Sequence, residues 1–209
     1  MAVLGREQFR SAMFQYVELP GARFFRTLGL TPNSITLLGF AICVAAAFLV
    51  GYGWLLIGGV VFLVGGGLDL FDGALARLTD KASPFGALLD SVFDRLGEAS
   101  LFVGLSIYGL RADFAEPFRL FFLTALLLAL IFSQGVSYLR ARGEGLGVFT
   151  RAGVMTRTER VIILGVGLII DHFLGFSFIV WVLVAIAGVS CFTLLQRMFT
   201  IRNMLDKAG

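Results

Sequence analysis

Long uncharged runs constrain this chain more than any other feature. No Asp, Glu, Lys or Arg occurs from Ser34 to Gly53, from Leu120 to Leu139, or from Phe176 to Gln196. A helix rising about 1.5 Å per residue needs roughly 20 apolar residues to cross some 30 Å of hydrocarbon, and these runs supply them. The chain is 58% hydrophobic and only 15% charged, with 22 Phe and 26 Gly among 209 residues. A soluble fold of this length has no use for so much apolar surface. The chain reads as an integral membrane protein, a single domain over residues 1–209. A formal net charge of +3 is too small to point to nucleic acid.

The apolar runs and their punctuation predict an all-α fold with six transmembrane helices. They cover about Ser34–Gly53, Trp54–Arg77, Pro84–Leu110, Pro117–Arg140, Thr158–Ile170 and Phe176–Met198. The bundle occupies residues 31–203, after an interfacial helix and lead-in over 1–30. Pro32, Pro84 and Pro117 sit where a helix begins, a position at which proline loses no helical hydrogen bond. Thr156 and Glu159 have capping-box spacing, which starts the fifth helix near Arg157. The apolar stretch of that helix, "VIILGVGLII", is short. Upstream, Phe9, Met13, Tyr16 and Val17 follow helical spacing, while Arg6, Glu7, Arg10 and Gln15 fall mainly on other faces. This pattern predicts an N-terminal amphipathic helix lying in the membrane interface. It also fits a helix packed on the domain. The apolar core of a secretory signal is missing there.

Basic residues set the orientation. Arg6, Arg10, Arg23 and Arg26 precede the first span, and Arg77 and Lys81 lie near the second connection. Arg140, Arg142, Arg151, Arg157 and Arg160 lie near the fourth connection, and Arg197, Arg202 and Lys207 close the chain. The opposite side has Arg111 and Arg119, offset by Asp113 and Glu116. The positive-inside rule places both termini in the cytoplasm. Cys43 and Cys191 fall inside spans, which argues against a structural disulfide.

Against that apolar background stands "DLFDGALARLTDKASPFGALLDSVFD", Asp69 to Asp94. Residues 78–83 form a short turn, so the flanking helices make an antiparallel hairpin. Asp69 and Asp90 lie at nearly equal distances from Asp80 and should share a depth. Asp69 and Asp72 share a face at i, i+3, and Asp90 and Asp94 at i, i+4. Gly73 and Gly86 leave room for the two backbones to approach. Four carboxylates in one small site repel each other unless protons or cations neutralise them. Oxygen ligands without His or Cys favour Mg2+, Mn2+ or Ca2+ over Zn2+. Two ions about 3.5–4 Å apart suit phosphoryl transfer. Buried salt bridges with Arg77 and Arg95 are the structural alternative. Charges inside a membrane are costly and usually functional, which favours the metal reading.

The segment reads Asp69-x2-Asp72-Gly73-x2-Ala76-Arg77-x8-Gly86-x3-Asp90-x3-Asp94. It resembles the signature of the CDP-alcohol phosphotransferases at every defined position. The upstream "TPNSIT" resembles that family's lead-in to its first transmembrane helix, so the likeness covers nearly the whole chain. Such enzymes displace CMP from a CDP-linked alcohol with an acceptor hydroxyl. The resemblance implies Asp69, Asp72 and Asp90 as ligands of Mg2+ or Mn2+, two ions in all. It implies Asp94 as general base, with a contact to metal. Asp69, Gly73, Ala76 and Arg77 would border the cytidine diphosphate. A homodimer is implied as well. Glu98, one turn past Asp94, reads as an orienting residue that holds Arg95 or another basic group, or else as one that tunes Asp94.

A second cluster speaks to the acceptor. Arg140, Arg142, Arg160 and Arg197 come from three helices and read as a phosphate site at the cytoplasmic mouth. Lipid headgroup binding or plain topology is the alternative, preferred for Arg151 and Arg157. Arg140-Ala141-Arg142, Arg160 and Gln196-Arg197 are similar to the bacterial and archaeal branch that joins a CDP-lipid to inositol phosphate. The expected reaction moves a phosphatidyl-type group from CDP-diacylglycerol, or a related CDP-lipid, to a phosphorylated polyol. Inositol phosphate is the leading acceptor, and glycerol 3-phosphate, the substrate of phosphatidylglycerophosphate synthases, its nearest rival. A divalent-cation transporter or channel is the competing class. Membrane lipids are expected partners, and both the site and the termini are expected to face the cytoplasm. His172, Trp54 and Trp181 read as surface or interface residues, and Gly65–Gly67 as a helix contact.

Overall fold

Proline marks three helix starts. The computed structural model describes residues 14–150, 152–175 and 178–207. One π-helical turn, Phe14–Glu18, leads into α1, Leu19–Thr27. Pro32 opens α2, Pro32–Gly51. Then come α3, Leu55–Gly67, and α4, Asp69–Leu78. Pro84 opens α5, Pro84–Arg111, and Pro117 is the second residue of α6, Glu116–Gly145. The last helices are α7, Arg157–Leu174, and α8, Phe178–Leu205. The fold is all-α. Phe9, Met13, Arg6 and Arg10, which carried the interfacial-helix expectation, lie outside the described residues.

The apolar runs predict six transmembrane helices, and the structure corrects that number. Among the described residues, four segments are long and apolar enough to cross a membrane: α2, α3 with α4, α6 and α8. The two that fall short are α5 and α7, taken from sequence as the third and fifth spans. Charge is the reason. α5 carries Asp90, Asp94, Arg95 and Glu98 on consecutive turns and ends on Arg111. α7 places Arg157, Glu159, Arg160 and Asp171 within 18 residues.

The helices form two compact units. One combines the described residues up to Cys43 with Val64–Gly97; the other combines Val44–Leu63 with the described residues from Glu98 onward. In the first, Ala22, Ile35, Ala74 and Leu75 are buried, and Phe25, Leu30, Leu68 and Leu78 pack around them. This core seats α1 on α4 while Tyr16, Phe24 and Leu28 stay exposed. Gly65 is where α3 can approach α2. A Cβ there would stand 2.9 Å from Cys43 Sγ and 3.0 Å from the Gly39 carbonyl oxygen. The Gly65–Gly67 run is therefore a helix contact at its first residue, with nothing within 4 Å of a Cβ on Gly67.

α4 ends in a left-handed cap. Asp80 has φ of 52°, and the Lys81 N–H donates to the Ala76 carbonyl at 3.0 Å. That is the Schellman arrangement, with Asp in the place glycine usually takes. It turns the chain sharply and returns it as α5.

In the second unit α8 packs on α6 and α7. Phe122, Leu126, Leu164, Leu168, Ile179 and Leu183 are among its buried residues. The capping box of Thr156 and Glu159 is present, so α7 starts at Arg157 as its sequence predicts. Gly175, at φ of 62°, ends α7. Asp171 Oδ1 then accepts the Ile179 N–H at 2.9 Å and caps the start of α8.

Candidate active site

Asp69 and Asp72 stand in the first turn of α4, and Asp90 stands on α5. One carboxylate oxygen from each lies within 4.8 Å of the others. Asp72 is buried, while Asp69 and Asp90 are half-buried. The equal-depth pairing across the hairpin is what brings Asp90 to the α4 pair. Asp94, half-buried one turn further along α5, is not one of the three that converge to this distance.

The cluster has a support that sequence reasoning missed. Thr36 Oγ1, on α2, donates to Asp72 Oδ2 at 2.8 Å in a buried setting. This fixes one carboxylate oxygen and the rotation of the group. Asp90 Oδ1 is buried with no hydrogen-bond partner among the described residues. Burial, followed by the charges of Asp94, Asp72 and Asp69, pushes the Asp90 carboxyl well above the usual carboxylate range. Such a group demands a proton or a cation. An all-oxygen donor set with an unpartnered buried oxygen fits a hard divalent ion.

A cleft opens beside the carboxylates. α2 lines it with Pro32, Asn33 and Thr36, and α4 with Asp72, Gly73, Ala76 and Arg77. The turn contributes Lys81, Ala82 and Ser83, and α5 contributes Gly86, Ala87 and Asp90. Asp69 belongs to the carboxylate group but not to this lining. Gly73 and Gly86 keep the cleft open rather than joining two backbones. A Cβ on Gly73 would meet only Arg77 Nη1, at 3.6 Å, and one on Gly86 would meet Ser83 Oγ at 3.1 Å and Asn33 Oδ1 at 3.3 Å. Arg77 is exposed and bonds Glu18 Oε2 at 3.2 Å. An exposed pair of this kind is weak enough to yield to a phosphate. Asn33, Thr36 and Lys81 had no site role from sequence. Their signal was present in "TPNSIT" and in the turn, but their meeting with α4 is tertiary.

The arginines occupy the second unit. Arg140 is exposed and bonds Glu144 Oε1 at 3.0 Å. Arg142 is exposed in the last turn of α6. Arg160 is fully buried against Glu98, which therefore holds a basic group from α7. Arg197 is 4% exposed, with Nη1 donating to the Val136 carbonyl at 2.7 Å and Nε to the Ala152 carbonyl at 3.0 Å. Arg140 and Arg160 are close enough for their charges to act on Arg197. The structure thus gathers Arg140, Arg160 and Arg197. Arg151 lies outside the described residues. His172, Trp54 and Trp181 are exposed.

Residues 29–193 match the family model described as CDP-alcohol phosphatidyltransferase. The archaetidylinositol phosphate synthase of Pyrococcus horikoshii is 37% identical over 182 residues, covering 86% of this chain and 88% of that protein. The phosphatidylinositol phosphate synthase of Mycolicibacterium smegmatis is 36% identical over 200 residues, covering 90% and 86%. A crystal structure of the Mycobacterium tuberculosis phosphatidylinositol phosphate synthase with manganese and citrate matches with a TM-score of 0.79 at 32% identity, covering 88% of each chain. The same enzyme with CDP-DAG bound matches with a TM-score of 0.77 at 33% identity, covering 88% of this chain and 93% of that one. With the signature carboxylates gathered on α4 and α5 and the match extending over most of the sequence, the chain belongs to the CDP-alcohol phosphatidyltransferase family.

Proposed function

We propose that this enzyme transfers the phosphatidyl group of CDP-diacylglycerol to inositol phosphate and releases CMP. The reaction class, transfer from CDP-diacylglycerol to a phosphorylated polyol, is that of the family branch it matches. The observation that carries the reading is three carboxylate oxygens within 4.8 Å beside a cleft walled by Gly73, Ala76, Gly86 and Ala87. The names of the relatives support inositol phosphate over glycerol 3-phosphate. Family membership leaves the cation-transporter class without support.

Asp69, Asp72 and Asp90 would hold Mg2+ or Mn2+, which would supply electrostatic stabilisation for the phosphates of the donor. Gly73 and Ala76 let the donor lie close to α4. Arg77 and Lys81 offer charged donors to its phosphates. Asp94 acts as general base on the acceptor hydroxyl. The hydroxyl oxygen bonds to the lipid-linked phosphorus, its proton passes to Asp94, and the bond from that phosphorus to the CMP oxygen breaks. Arg140, Arg142, Arg160 and Arg197 bind the acceptor phosphate.

The protein is an integral membrane protein. Its Arg- and Lys-rich helix ends support a cytoplasmic site and cytoplasmic termini, which thiol labelling of cysteines placed at Ala82 and Asp113 would distinguish. A homodimer, and lipids against the exposed apolar side chains, complete the reading. The deciding experiment is an acceptor panel with purified enzyme, CDP-diacylglycerol and Mn2+, following CMP release. Inositol phosphate should be used far better than glycerol 3-phosphate or free inositol. Preference for glycerol 3-phosphate would overturn the acceptor assignment.

A further inference from the structure

Glu98 and Arg160 form a buried pair with one donor to spare. Glu98 is 1% exposed and Arg160 is 0% exposed. Arg160 Nε donates to Glu98 Oε1 at 2.6 Å and Nη2 to Oε2 at 2.9 Å. Nη2 also reaches Ser137 Oγ, at 3.4 Å. Both carboxylate oxygens are thus engaged along one edge of the guanidinium. Nη1 is buried and has no hydrogen-bond partner among the described residues. A pair whose only task is to tie helices together has no reason to strand a charged donor, because buried donors are costly to leave unsatisfied.

The neighbourhood adds a second observation. Arg197, also buried, spends its placed bonds on two backbone carbonyls. The charge of Arg160 acts on Arg197. Two buried guanidiniums thus share one region: Glu98 pairs with Arg160, and the carboxylate whose charge acts on Arg197 is Glu144. An anion at the open donor would satisfy Arg160 Nη1.

We infer that Glu98 is a positioning residue for the acceptor: it grips Arg160 by Nε and Nη2 and so presents Nη1 to the acceptor's phosphate. The planar fork of arginine makes this possible, because holding one edge fixes the direction of the remaining nitrogen. Glu98 itself touches no substrate. Its carboxylate would repel the acceptor phosphate if it were not spent on Arg160. The inference rests on the acceptor-phosphate reading of Arg160 given above.

The test is a double-mutant cycle on the purified full-length enzyme, with inositol phosphate as the varied substrate. Glu98→Gln keeps the shape and one acceptor oxygen but leaves one of the two N–H donors on the held edge of the guanidinium without its acceptor. Its KM for inositol phosphate should rise by roughly tenfold or more, the scale on which outer partners act, with the KM for CDP-diacylglycerol unchanged. Arg160→Gln should raise the same KM. The double variant should be no worse than Arg160→Gln alone, because Glu98 acts only through that residue. Thermal unfolding in detergent identifies variants that fail to fold, for which Glu98→Asp, retaining the charge, takes the place of Glu98→Gln. A raised KM in Arg160→Gln with a parental KM in the Glu98 variant overturns the positioning role alone. Additive effects on KM overturn it too, by giving Glu98 its own contact with substrate. A parental KM in Arg160→Gln overturns the acceptor reading of Arg160, and the inference falls with it.

Discussion

Thr36 reaches a carboxylate 36 residues away in sequence, and the resulting bond ties the carboxylate cluster to α2. Removing it should be felt at the metal. Thr36→Val deletes the hydroxyl donor and keeps the β-branched shape, so Asp72 can rotate. Mn2+ affinity, read by calorimetry, should fall by roughly 10–100-fold, while Thr36→Ser should stay near the parent. Equal affinity in the Val and Ser variants would show that the bond does not orient the ligand. The carboxylates themselves should separate by role. Asp69→Asn should weaken Mn2+ and CDP-lipid binding together. Asp94→Asn should spare both and lower turnover by roughly 10²-fold or more, the scale of a lost general base. Near-normal turnover in Asp94→Asn would remove it as the base. The gathering of Asp69, Asp72 and Asp90 is legible in sequence, because a hairpin with equal arms has only one register that matches their spacing. The roles of Asn33 and Thr36 are not, since nothing local says that the start of α2 lies beside α4. Arg160 is a mixed case. Its position on α7 follows from the capping box, but its burial against Glu98 depends on a contact 62 residues apart.

Elements follow from sequence where a local rule is strong and fail where two rules compete. Pro32, Pro84, Pro117 and the Thr156–Glu159 box place helix starts within a residue or two. The number of membrane-crossing helices comes out wrong because apolar run length competes with charge. α5 is long enough at 28 residues, but Asp90, Asp94, Arg95 and Glu98 remove it from the set. The break at Leu68 is also hidden. There the α3 run passes into α4, and the Leu68 N–H is shared between the Val64 and Gly65 carbonyls at 3.2 and 3.3 Å. The reading of Gly65 as a helix contact carries a stability prediction. Gly65→Ala puts a methyl group 2.9 Å from Cys43 Sγ and 3.0 Å from the Gly39 carbonyl, so α2 and α3 must move apart. Overpacking of this kind costs about 1–3 kcal/mol. Gly67→Ala meets nothing within 4 Å and serves as the control. Thermal unfolding in the same detergent should show a lower Tm for Gly65→Ala only; matching Tm values would mean that the helices are not in contact at Gly65.

Two roles compete for the basic residues: setting the orientation of the chain and binding an anion. Topology requires only that Arg and Lys lie on one side of a membrane, in water or among headgroups. It gives no reason to bury Arg197 at 4% exposure and bond it to the Val136 and Ala152 carbonyls. Carbonyls orient a guanidinium without neutralising it, so the charge remains available to an anion. Arg142 offers the opposite case, an exposed cation at the end of α6 that can swing to a ligand. If both serve the acceptor phosphate, loss of either charge removes a charge-assisted contact of about 1.5–3 kcal/mol. That converts to roughly a tenfold to hundredfold loss in transition-state stabilisation. For Arg142→Gln the loss should appear as a raised KM for inositol phosphate, with CDP-diacylglycerol binding unchanged. Arg197→Gln should do the same, and Arg197→Lys, which keeps a point charge but not the fork, should fall between. Free inositol lacks the phosphate, so replacing inositol phosphate with it in the parent enzyme should reproduce the lesion, and the Arg142 variant should discriminate less between the two. If the parent uses free and phosphorylated inositol equally well, no phosphate is being gripped, and these arginines return to setting the orientation of the chain.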